Sequence, residues 1–279
     1  MCAKKTLLEE AEEEICDLSK IERDFFIYHR DVNGLFFGKI ENIPHANLPV
    51  IRAECLIWLL NKLVDKRFDS SSIINVRGVH IQGNATCDDL VFLKSLFLTG
   101  CYFSDKVVFF QCTFRNLIFR QLVFDKNITA EGICVKNNFF IKKSRFQRML
   151  DIQGGHVGGS LGFIGSLFGS VESEIAIHAN AIRVDGNVYL LSQVVDETKH
   201  KFSANGFVLF EGSIIKGFFE CNEGLFNAPE RLALSLAGSR IDGYVDLINC
   251  VAIGIVSLNS ARTGASITIK GSKFFIIEP

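Results

Sequence analysis

Histidine and cysteine side chains are the first candidates for chemistry in this chain, because they bind metals and act as nucleophiles or bases near neutral pH. The 279 residues include six histidines and nine cysteines. The histidines show no His-x-His or His-x-x-x-His spacing, and the cysteines form no Cys-x-x-Cys pair, so the usual spacings of metal ligands are missing from the sequence. We therefore predict no metal ion, no cofactor and no catalytic residue, and we expect the cysteines to be reduced thiols packed in a core.

One glycine-rich stretch is a candidate phosphate cradle. Residues 154–159 read Gly-Gly-His-Val-Gly-Gly. Glycine-rich loops bind phosphate when a strand leads through the loop into a helix, with a Lys or Ser at a fixed offset. We interpret these glycines instead as tight corners between short strands, since glycine tolerates unusual backbone angles.

Basic residues are concentrated in one segment, which we call the basic belt. Between residues 106 and 148 there are nine basic residues and only two acidic ones, Asp125 and Glu131, so the segment carries a charge of +7. The belt residues are Lys106, Arg115, Arg120, Lys126, Lys136, Lys142, Lys143, Arg145 and Arg148. Such a concentration indicates a surface that attracts an acidic protein, an anionic membrane or nucleic acid. The alternative is that these residues are ordinary solvated positions.

Two similar octads indicate how these residues are positioned. Residues 183–190 read Arg-Val-Asp-Gly-Asn-Val-Tyr-Leu, and residues 240–247 read Arg-Ile-Asp-Gly-Tyr-Val-Asp-Leu. Repetition of this kind predicts a solenoid built by stacking one unit. Asp185 and Asp242 occupy equivalent positions, so we predict a turn role for both rather than a paired catalytic site.

A shorter repeat occupies the middle of the chain. Bulky residues recur every five positions at Phe109, Phe114, Phe119 and Phe124. Alternating apolar residues predict short strands with one buried face, so we expect these rings to point into a core.

The five-residue pattern resembles the pentapeptide-repeat proteins. This resemblance implies a right-handed quadrilateral β-helix with four five-residue faces and about 21 residues in each coil. The sequence departs from their consensus by using Leu and Cys where that consensus has Ala. Residues 212–217 (Gly-Ser-Ile-Ile-Lys-Gly), 238–243 (Gly-Ser-Arg-Ile-Asp-Gly) and 52–59 (Arg-Ala-Glu-Cys-Leu-Ile-Trp-Leu) resemble more closely a bacterial group with degenerate repeats that is labelled membrane-associated oxidoreductase. That label implies a membrane or redox role, although the sequence shows no nucleotide-binding motif.

We therefore predict a mainly β protein with two parts. Residues 72–279 are expected to form the pentapeptide-like β-helix, and residues 1–71 a helical module that caps its first coil, since an open β-helix end exposes unpaired strand edges. Apolar spacing predicts one amphipathic helix over residues 4–30 and another over about residues 48–67. The N-terminus lacks the pattern of a signal peptide, and no apolar run approaches the ~20 residues of a membrane span.

The predicted function is a non-catalytic interaction scaffold of a bacterium, binding a protein partner or an anionic surface. We expect it to be cytoplasmic or peripheral to a membrane, with delivery into a host cell also open. The alternative is a peripheral membrane protein or a subunit of an oxidoreductase, as the family label implies. The net charge of −1 disfavours mimicry of DNA, and we do not expect nucleic acid as a partner because the belt phenylalanines are needed in the core. The apolar residues 274–277 leave two alternatives, an end-on homodimer through the C-terminal coil or a missing C-terminal piece, and we favour the homodimer.

Overall fold

The computed structural model describes residues 5–28, 47–64, 73–169, 174–195 and 197–276. The described helices all precede residue 65: α1 (Leu7–Glu14), α2 (Lys20–Tyr28) and α3 (Ala53–Lys62).

Short strands make up most of the remaining described chain. Up to residue 168 they are β1 (Val50–Arg52), β2 (Ile73–Arg77), β3 (His80–Gln82), β4 (Ala85–Asp88), β5 (Val91–Thr99), β6 (Tyr102–Phe103), β7 (Val107–Phe110), β8 (Thr113–Arg120), β9 (Val123–Phe124), β10 (Ile128–Thr129), β11 (Cys134–Val135), β12 (Phe139–Lys142), β13 (Arg145–Phe146), β14 (Leu150–Asp151), β15 (His156–Val157), β16 (Leu161–Ile164) and β17 (Leu167–Phe168).

The same pattern continues through the second half. The strands there are β18 (Ile175–His178), β19 (Arg183–Val184), β20 (Val188–Leu191), β21 (Gln193–Val195), β22 (Thr198–His200), β23 (Ser203–Asn205), β24 (Phe207–Leu209), β25 (Ile214–Ile215), β26 (Phe219–Asn222), β27 (Leu225–Ser235), β28 (Arg240–Ile241), β29 (Val245–Ile248), β30 (Val251–Ser257), β31 (Arg262–Thr263), β32 (Ile267–Lys270) and β33 (Lys273–Phe275). Strands β21 and β22 form an antiparallel pair, whereas the strands of the solenoid pair in parallel.

Each strand of the solenoid pairs with the equivalent strand one coil away. Val107 pairs with Ile128, and Ile128 pairs with Leu150. The number of residues between two such partners is the length of one coil, and it agrees with the coil length expected from the repeat. One coil consists of β9, β10, β11 and β12, and these four strands define what we call faces 1, 2, 3 and 4 of the solenoid. The stack has about nine turns. The predicted mainly β fold with an N-terminal helical segment is thus confirmed.

Phenylalanine fills the narrow core. Phe109, Phe114, Phe119 and Phe124 are each at most 1% exposed, which confirms that the five-residue repeat marks inward positions. On face 1, the ring of Phe124 stacks on that of Phe146 with centroids 4.9 Å apart, and the same column continues above and below. Identical inward positions on consecutive coils therefore bring aromatic rings into offset stacks.

Small polar side chains fill the corner between faces 4 and 1. The Sγ of Cys101 donates to the carbonyl oxygen of Val76 one coil away (3.6 Å), and the Oγ of Ser166 donates to that of Ile141 (3.3 Å). Cys250 makes the equivalent contact with the carbonyl oxygen of Cys221 at 3.4 Å. Thiol and hydroxyl groups thus satisfy backbone acceptors at the turns, and the cysteines at this corner act as structural residues.

The N-terminal segment differs from the predicted single helix over residues 4–30. The chain breaks between α1 and α2, where Asp17 adopts a φ of 53°. Ser19 starts the second helix, because its Oγ accepts from the backbone N–H of Glu22 (3.2 Å) and Glu22 Oε2 accepts from the N–H of Ser19 (2.9 Å). This reciprocal capping satisfies amides that a continuous helix would have used internally.

The second predicted helix, over about residues 48–67, begins later than expected. Its first residues instead form β1, in which Val50 pairs in parallel with His80 of β3, and α3 then packs against β4. The helical segment therefore contacts the first coil. A domain boundary near residue 71 stays a prediction, since residues 65–72 lie outside the described chain.

Candidate functional site

The structure distributes the basic belt over separate edges of the solenoid. Lys106, Lys126 and Arg148 lie in connections between faces 1 and 2 of successive coils. Arg115 and Lys136 occupy equivalent positions at the end of face 3, as shown by the adjacent pairing of Phe114 with Val135. The remaining four, which we call the basic edge, lie at the corner between faces 4 and 1. The basic edge consists of Arg120, Lys142, Lys143 and Arg145.

The basic edge is compact because two coils contribute to it in register. Lys142, the last residue of β12, pairs directly with Arg120, the last residue of β8. Lys143 follows at once, and Arg145 begins β13 on face 1. The Nζ of Lys142 lies 5.1 Å from the centre of the Phe140 ring, within the range of a cation–π contact. Neighbouring parallel strands lie about 4.8 Å apart, so the positive charges of Lys142 and Arg120 are held close together.

No carboxylate among the described residues forms an ion pair with the basic edge. Of the two acids in the belt segment, Asp125 follows β9 at the far end of face 1 and accepts a hydrogen bond from the hydroxyl of Tyr102. This bond to Asp125 raises the pKa of Tyr102 to about 12. Glu131 lies in the connection between faces 2 and 3. Neither acid neutralises the basic edge.

An open groove of about 800 Å³ lies beside the first group of belt residues. Lys106, Lys126 and Arg148 line it together with Asp105 and Glu174. Asp105 accepts hydrogen bonds from the backbone N–H of Gly83 and the hydroxyl of Ser104, both at 2.8 Å, and these contacts lower its pKa. The acids offset much of the positive charge, so this groove is a weaker candidate than the basic edge.

Asp185 of the first octad contacts three basic side chains on face 3. Its carboxylate contacts Lys216 Nζ (2.9 Å), His156 Nε2 (2.9 Å) and Arg183 Nε (3.1 Å). Lys216 first, and then His156 and Arg183, hold the pKa of Asp185 well below its usual range. The equivalent Asp242 contacts Arg240 Nε at 2.8 Å. Both aspartates thus bind the arginine two residues earlier, and no second carboxylate among the described residues joins the Asp185 cluster.

The glycine-rich stretch packs against the preceding coil. A Cβ added at Gly158 would lie 2.2 Å from the carbonyl oxygen of Lys136, and one added at Gly159 would lie 2.8 Å from that of Asn137. These glycines allow two backbones to approach closely. Strand β15 runs through the middle of the stretch and β16 follows it, so the strand-to-helix context of a phosphate loop is not found there.

Metal-binding geometry is not found in the part of the chain that the structure describes, where no three His, Cys, Asp or Glu side chains are arranged around a common point. Within the same residues, His178 Nδ1 lies 3.3 Å from Asp151 Oδ1, and this pair resembles the one between His156 and Asp185.

None of the described helices has the length and apolar character of a membrane span.

Sequence reasoning missed one surface feature. The rings of Tyr189, Phe218 and Tyr244 contact one another in sequence on the outer side of the solenoid, beside the carboxylates of Glu220 and Asp246, and Phe218 stacks on Tyr244. These residues come from three successive coils, which insertions make longer than the coils in the middle of the chain. The tyrosines of the two octads were visible in the sequence, but the register that joins these side chains was not.

The fold and its surfaces define a parallel β-solenoid with a helical N-terminal segment, charged outer corners and an aromatic core. No protein-family model matches the sequence, and neither a curated protein nor a solved structure matches it.

Proposed function

We propose that this chain is a non-catalytic interaction scaffold that binds an acidic protein partner along its basic edge. The observation that supports the proposal is the absence of any ion pair between a described carboxylate and Arg120, Lys142, Lys143 or Arg145. Some basic residues elsewhere on the solenoid are neutralised, as Arg183 and Lys216 are by Asp185.

The physical argument concerns repulsion between charges fixed by the fold. Strand pairing holds Lys142 and Arg120 side by side, and like charges directly opposite each other destabilise a sheet. A partner that supplies carboxylates relieves this repulsion and gains charge-assisted hydrogen bonds. Complementary charge also accelerates the encounter of two proteins.

An acidic protein fits the basic edge better than a flat membrane does. The belt residues occupy three different edges, so a planar surface could contact only a fraction of them at once. A segment of chain lying along the corner between faces 4 and 1 could contact all four residues of the basic edge. The rigid stacked coils suit such docking, because each coil contacts only its neighbours and presents a long fixed surface.

The repeat residues support a finer assignment, which we include in the proposal. We infer that the chain is a degenerate relative of the pentapeptide-repeat proteins from a bacterium. Its structural thiols suit a reducing compartment such as the cytoplasm, with delivery into a host cell as a further proposal. The alternative of a peripheral membrane protein rests on the basic belt and on the family label, whereas that of an oxidoreductase subunit rests on the label alone.

Two variants of equal charge change test the basic edge. The first replaces its four residues by glutamate: Arg120→Glu, Lys142→Glu, Lys143→Glu and Arg145→Glu. The matched control replaces four belt residues on other edges: Lys106→Glu, Arg115→Glu, Lys126→Glu and Lys136→Glu. Binding is measured by fluorescence anisotropy with a labelled octa-glutamate peptide and by co-sedimentation with phosphatidylserine vesicles.

We expect the peptide to bind the wild type and the matched control but not the basic-edge variant, and we expect binding to weaken at higher salt. Equal loss in both variants would show that only net charge matters and would contradict the proposal. Vesicle binding that depends on the basic edge, without peptide binding, would replace it by the membrane alternative.

The last described coil favours a second interaction, the end-on homodimer. Ile267, Ile269 and Phe274 are 46%, 52% and 41% exposed, although their strand partners Val245, Leu247 and Ala252 are buried in the core. These are core positions that no further described coil covers. We propose that a second copy of the chain covers them.

A further inference from the structure

The outer side of face 4 changes character along the solenoid. In the early coils, three of its central outward positions carry large apolar side chains, at Phe97, Ile118 and Phe140, and these lie between Asn75 and Gly162 of the same column. In the later coils the same column continues with Tyr189, Glu220 and Asp246. A solvated face needs no large rings, so this surface calls for a physical explanation.

Three rings form one stack at the later end of this face. Phe218 and Tyr244 lie nearly parallel, with centroids 4.5 Å apart and an angle of 7° between their planes. Tyr189 meets Phe218 edge to face at 5.5 Å, and its hydroxyl accepts a hydrogen bond from Asn187 Nδ2 (2.9 Å). Packing between neighbours therefore fixes the rings, yet all three stay partly exposed. A rigid, partly exposed aromatic surface loses little entropy when a partner binds.

Two carboxylates lie beside this stack without a counter-ion among the described residues. Glu220 of β26 and Asp246 of β29 are direct strand partners, so their side chains emerge next to each other on one face. Burial, and then the charge of Asp246, raise the pKa of Glu220. Burial and these two acids also raise the pKa of Tyr244. The surface thus carries negative potential in front of the rings.

The basic residues nearest in sequence are bound elsewhere. Lys216 contacts Asp185, and Arg240 contacts Asp242, both on face 3. No ion pair with a described cation involves Glu220 or Asp246. The fold therefore maintains a repulsive carboxylate pair that a cation from outside would stabilise.

We propose that Tyr189, Phe218, Tyr244, Glu220 and Asp246 form a docking surface for a basic segment of a protein partner, with an arginine or lysine side chain placed over the rings and between the carboxylates. The chemistry of the surface selects this occupant. Aromatic faces attract guanidinium and ammonium groups, and two adjacent carboxylates attract the same groups. This surface is distinct from the basic edge, and the inference does not depend on the function proposed for that edge.

The test uses a fluorescein-labelled tetra-arginine peptide as the probe and anisotropy as the measurement on the full chain. The double variant Glu220→Gln with Asp246→Asn removes both charges, and Tyr244→Leu removes one ring. The matched control, Glu131→Gln with Asp88→Asn, removes two exposed carboxylates on other parts of the solenoid. Thermal unfolding of each variant is measured in parallel.

We expect the carboxylate variant to weaken binding about tenfold or more, and Tyr244→Leu to weaken it severalfold, since one cation–π contact contributes about 1 kcal/mol. The control should bind as the wild type does. Tm of the carboxylate variant should be unchanged or higher, because the substitutions remove repulsion. If Glu220 and Asp246 instead stabilise the fold, the substitutions should lower Tm.

Several outcomes would overturn the proposal. Equal weakening in the carboxylate variant and the control would show non-specific attraction to net charge. Unchanged binding of tetra-arginine to Tyr244→Leu would remove the role of the rings. Binding of maltohexaose, a neutral sugar, that depends on Tyr244 but not on the carboxylates would assign the surface to carbohydrate instead. The octa-glutamate experiment tests the basic edge independently of this surface, so failure of one proposal can be distinguished from failure of the other.

Discussion

Glu22 and Arg52 join the second helix to the start of the solenoid through an ion pair in which the glutamate is buried and the arginine is partly exposed. Arg52 Nε donates to Glu22 Oε1 at 2.8 Å, and the backbone N–H of Arg52 donates to the same oxygen at 3.0 Å. The guanidinium also donates to the carbonyl oxygen of Cys16 at 3.1 Å. Because the Glu22 side chain is only 4% exposed, losing its partner would leave a buried charge without compensation.

This ion pair predicts acid-sensitive stability. Burial alone would raise the pKa of Glu22, but hydrogen bonds from Arg52 and from backbone amides outweigh it and lower the pKa to about 2. A depressed pKa contributes stability above the unfolded value and loses it as pH falls toward 2. We expect the wild type to lose about 3 kcal/mol through this group between pH 5 and pH 2. Urea denaturation at both pH values measures the loss.

The variant Glu22→Gln serves as the reference for that experiment. It cannot ionise at this position, so its stability should be lower at pH 5 and should fall less between pH 5 and pH 2. Parallel pH profiles for the two proteins would show that Glu22 does not carry the dependence.

The sequence was sufficient to predict the core of the solenoid but not the break in the first helix. Phe109 to Phe124 repeat every five residues, and this period matches the inward positions of short strands. The apolar spacing from Leu7 to Leu18 suggested one helix, because side-chain periodicity does not report backbone breaks. The pattern Ser-x-x-Glu at residues 19–22 was the available signal, since it predicts a capping box.

The surface sites were harder to predict, because they depend on the exact length of every coil. A segment of high positive charge is visible in the sequence, but small differences in length between neighbouring coils decide which lysines share an edge. Tyr189 and Glu220 are direct strand partners one coil apart, although an insertion separates them widely in the sequence. Neither the basic edge nor the aromatic surface could therefore be assembled from sequence spacing alone.

The two octads should respond differently to the same substitution. Asp185 binds His156, Arg183 and Lys216, whereas Asp242 binds Arg240 in a more exposed pair. We expect Asp185→Asn to lower the free energy of unfolding by about 1 kcal/mol, since it leaves Lys216, Arg183 and His156 without their shared carboxylate. Asp242→Asn should change it by less than about 0.5 kcal/mol. Chemical denaturation distinguishes the two, and equal effects would mean that the additional cations contribute nothing.

The glycine-rich stretch contains two positions that require glycine for different physical reasons. Gly154 has a φ of 63° with nothing within 4 Å of an added Cβ, whereas an added Cβ at Gly158 meets the carbonyl oxygen of Lys136 at 2.2 Å. Gly154→Ala should cost about 1 kcal/mol through backbone strain. Gly158→Ala should cost more, about 2 to 3 kcal/mol, because the coils must move apart. If Gly158→Ala is the milder change in thermal unfolding, the close approach of the coils is not what restricts this position.

The phenylalanine column on face 1 should respond strongly to truncation. Phe146 stacks between Phe124 (4.9 Å) and Phe168 (4.7 Å) and is 1% exposed. Replacing it with alanine leaves a cavity that neighbouring coils cannot close without losing their register. We expect Phe146→Ala to lower the free energy of unfolding by about 3 to 5 kcal/mol. Phe146→Leu should lose less, and urea denaturation of both variants provides the comparison.

The homodimer proposed through the last described coil predicts self-association with a defined geometry. Ile269 is 52% exposed and Phe274 is 41% exposed at positions equivalent to buried residues one coil earlier. The helical segment contacts the first coil through β1 and α3, so head-to-tail stacking is obstructed and pairing of two last coils about a two-fold axis is favoured. Sedimentation equilibrium should therefore give twice the mass of one chain, without larger species.

The test of this dimer compares charges introduced at the end and on the side of the solenoid. Ile269→Lys with Phe274→Lys should yield a monomer, because lysine at the centre of the interface remains unpaired when two copies meet. Ile214→Lys, at a 42% exposed position on the outer side of face 3, should leave the dimer intact. A wild type that sediments as a monomer at high concentration would exclude the second copy as the cover of this coil. Dissociation by Ile214→Lys would instead place the contact on the side of the stack.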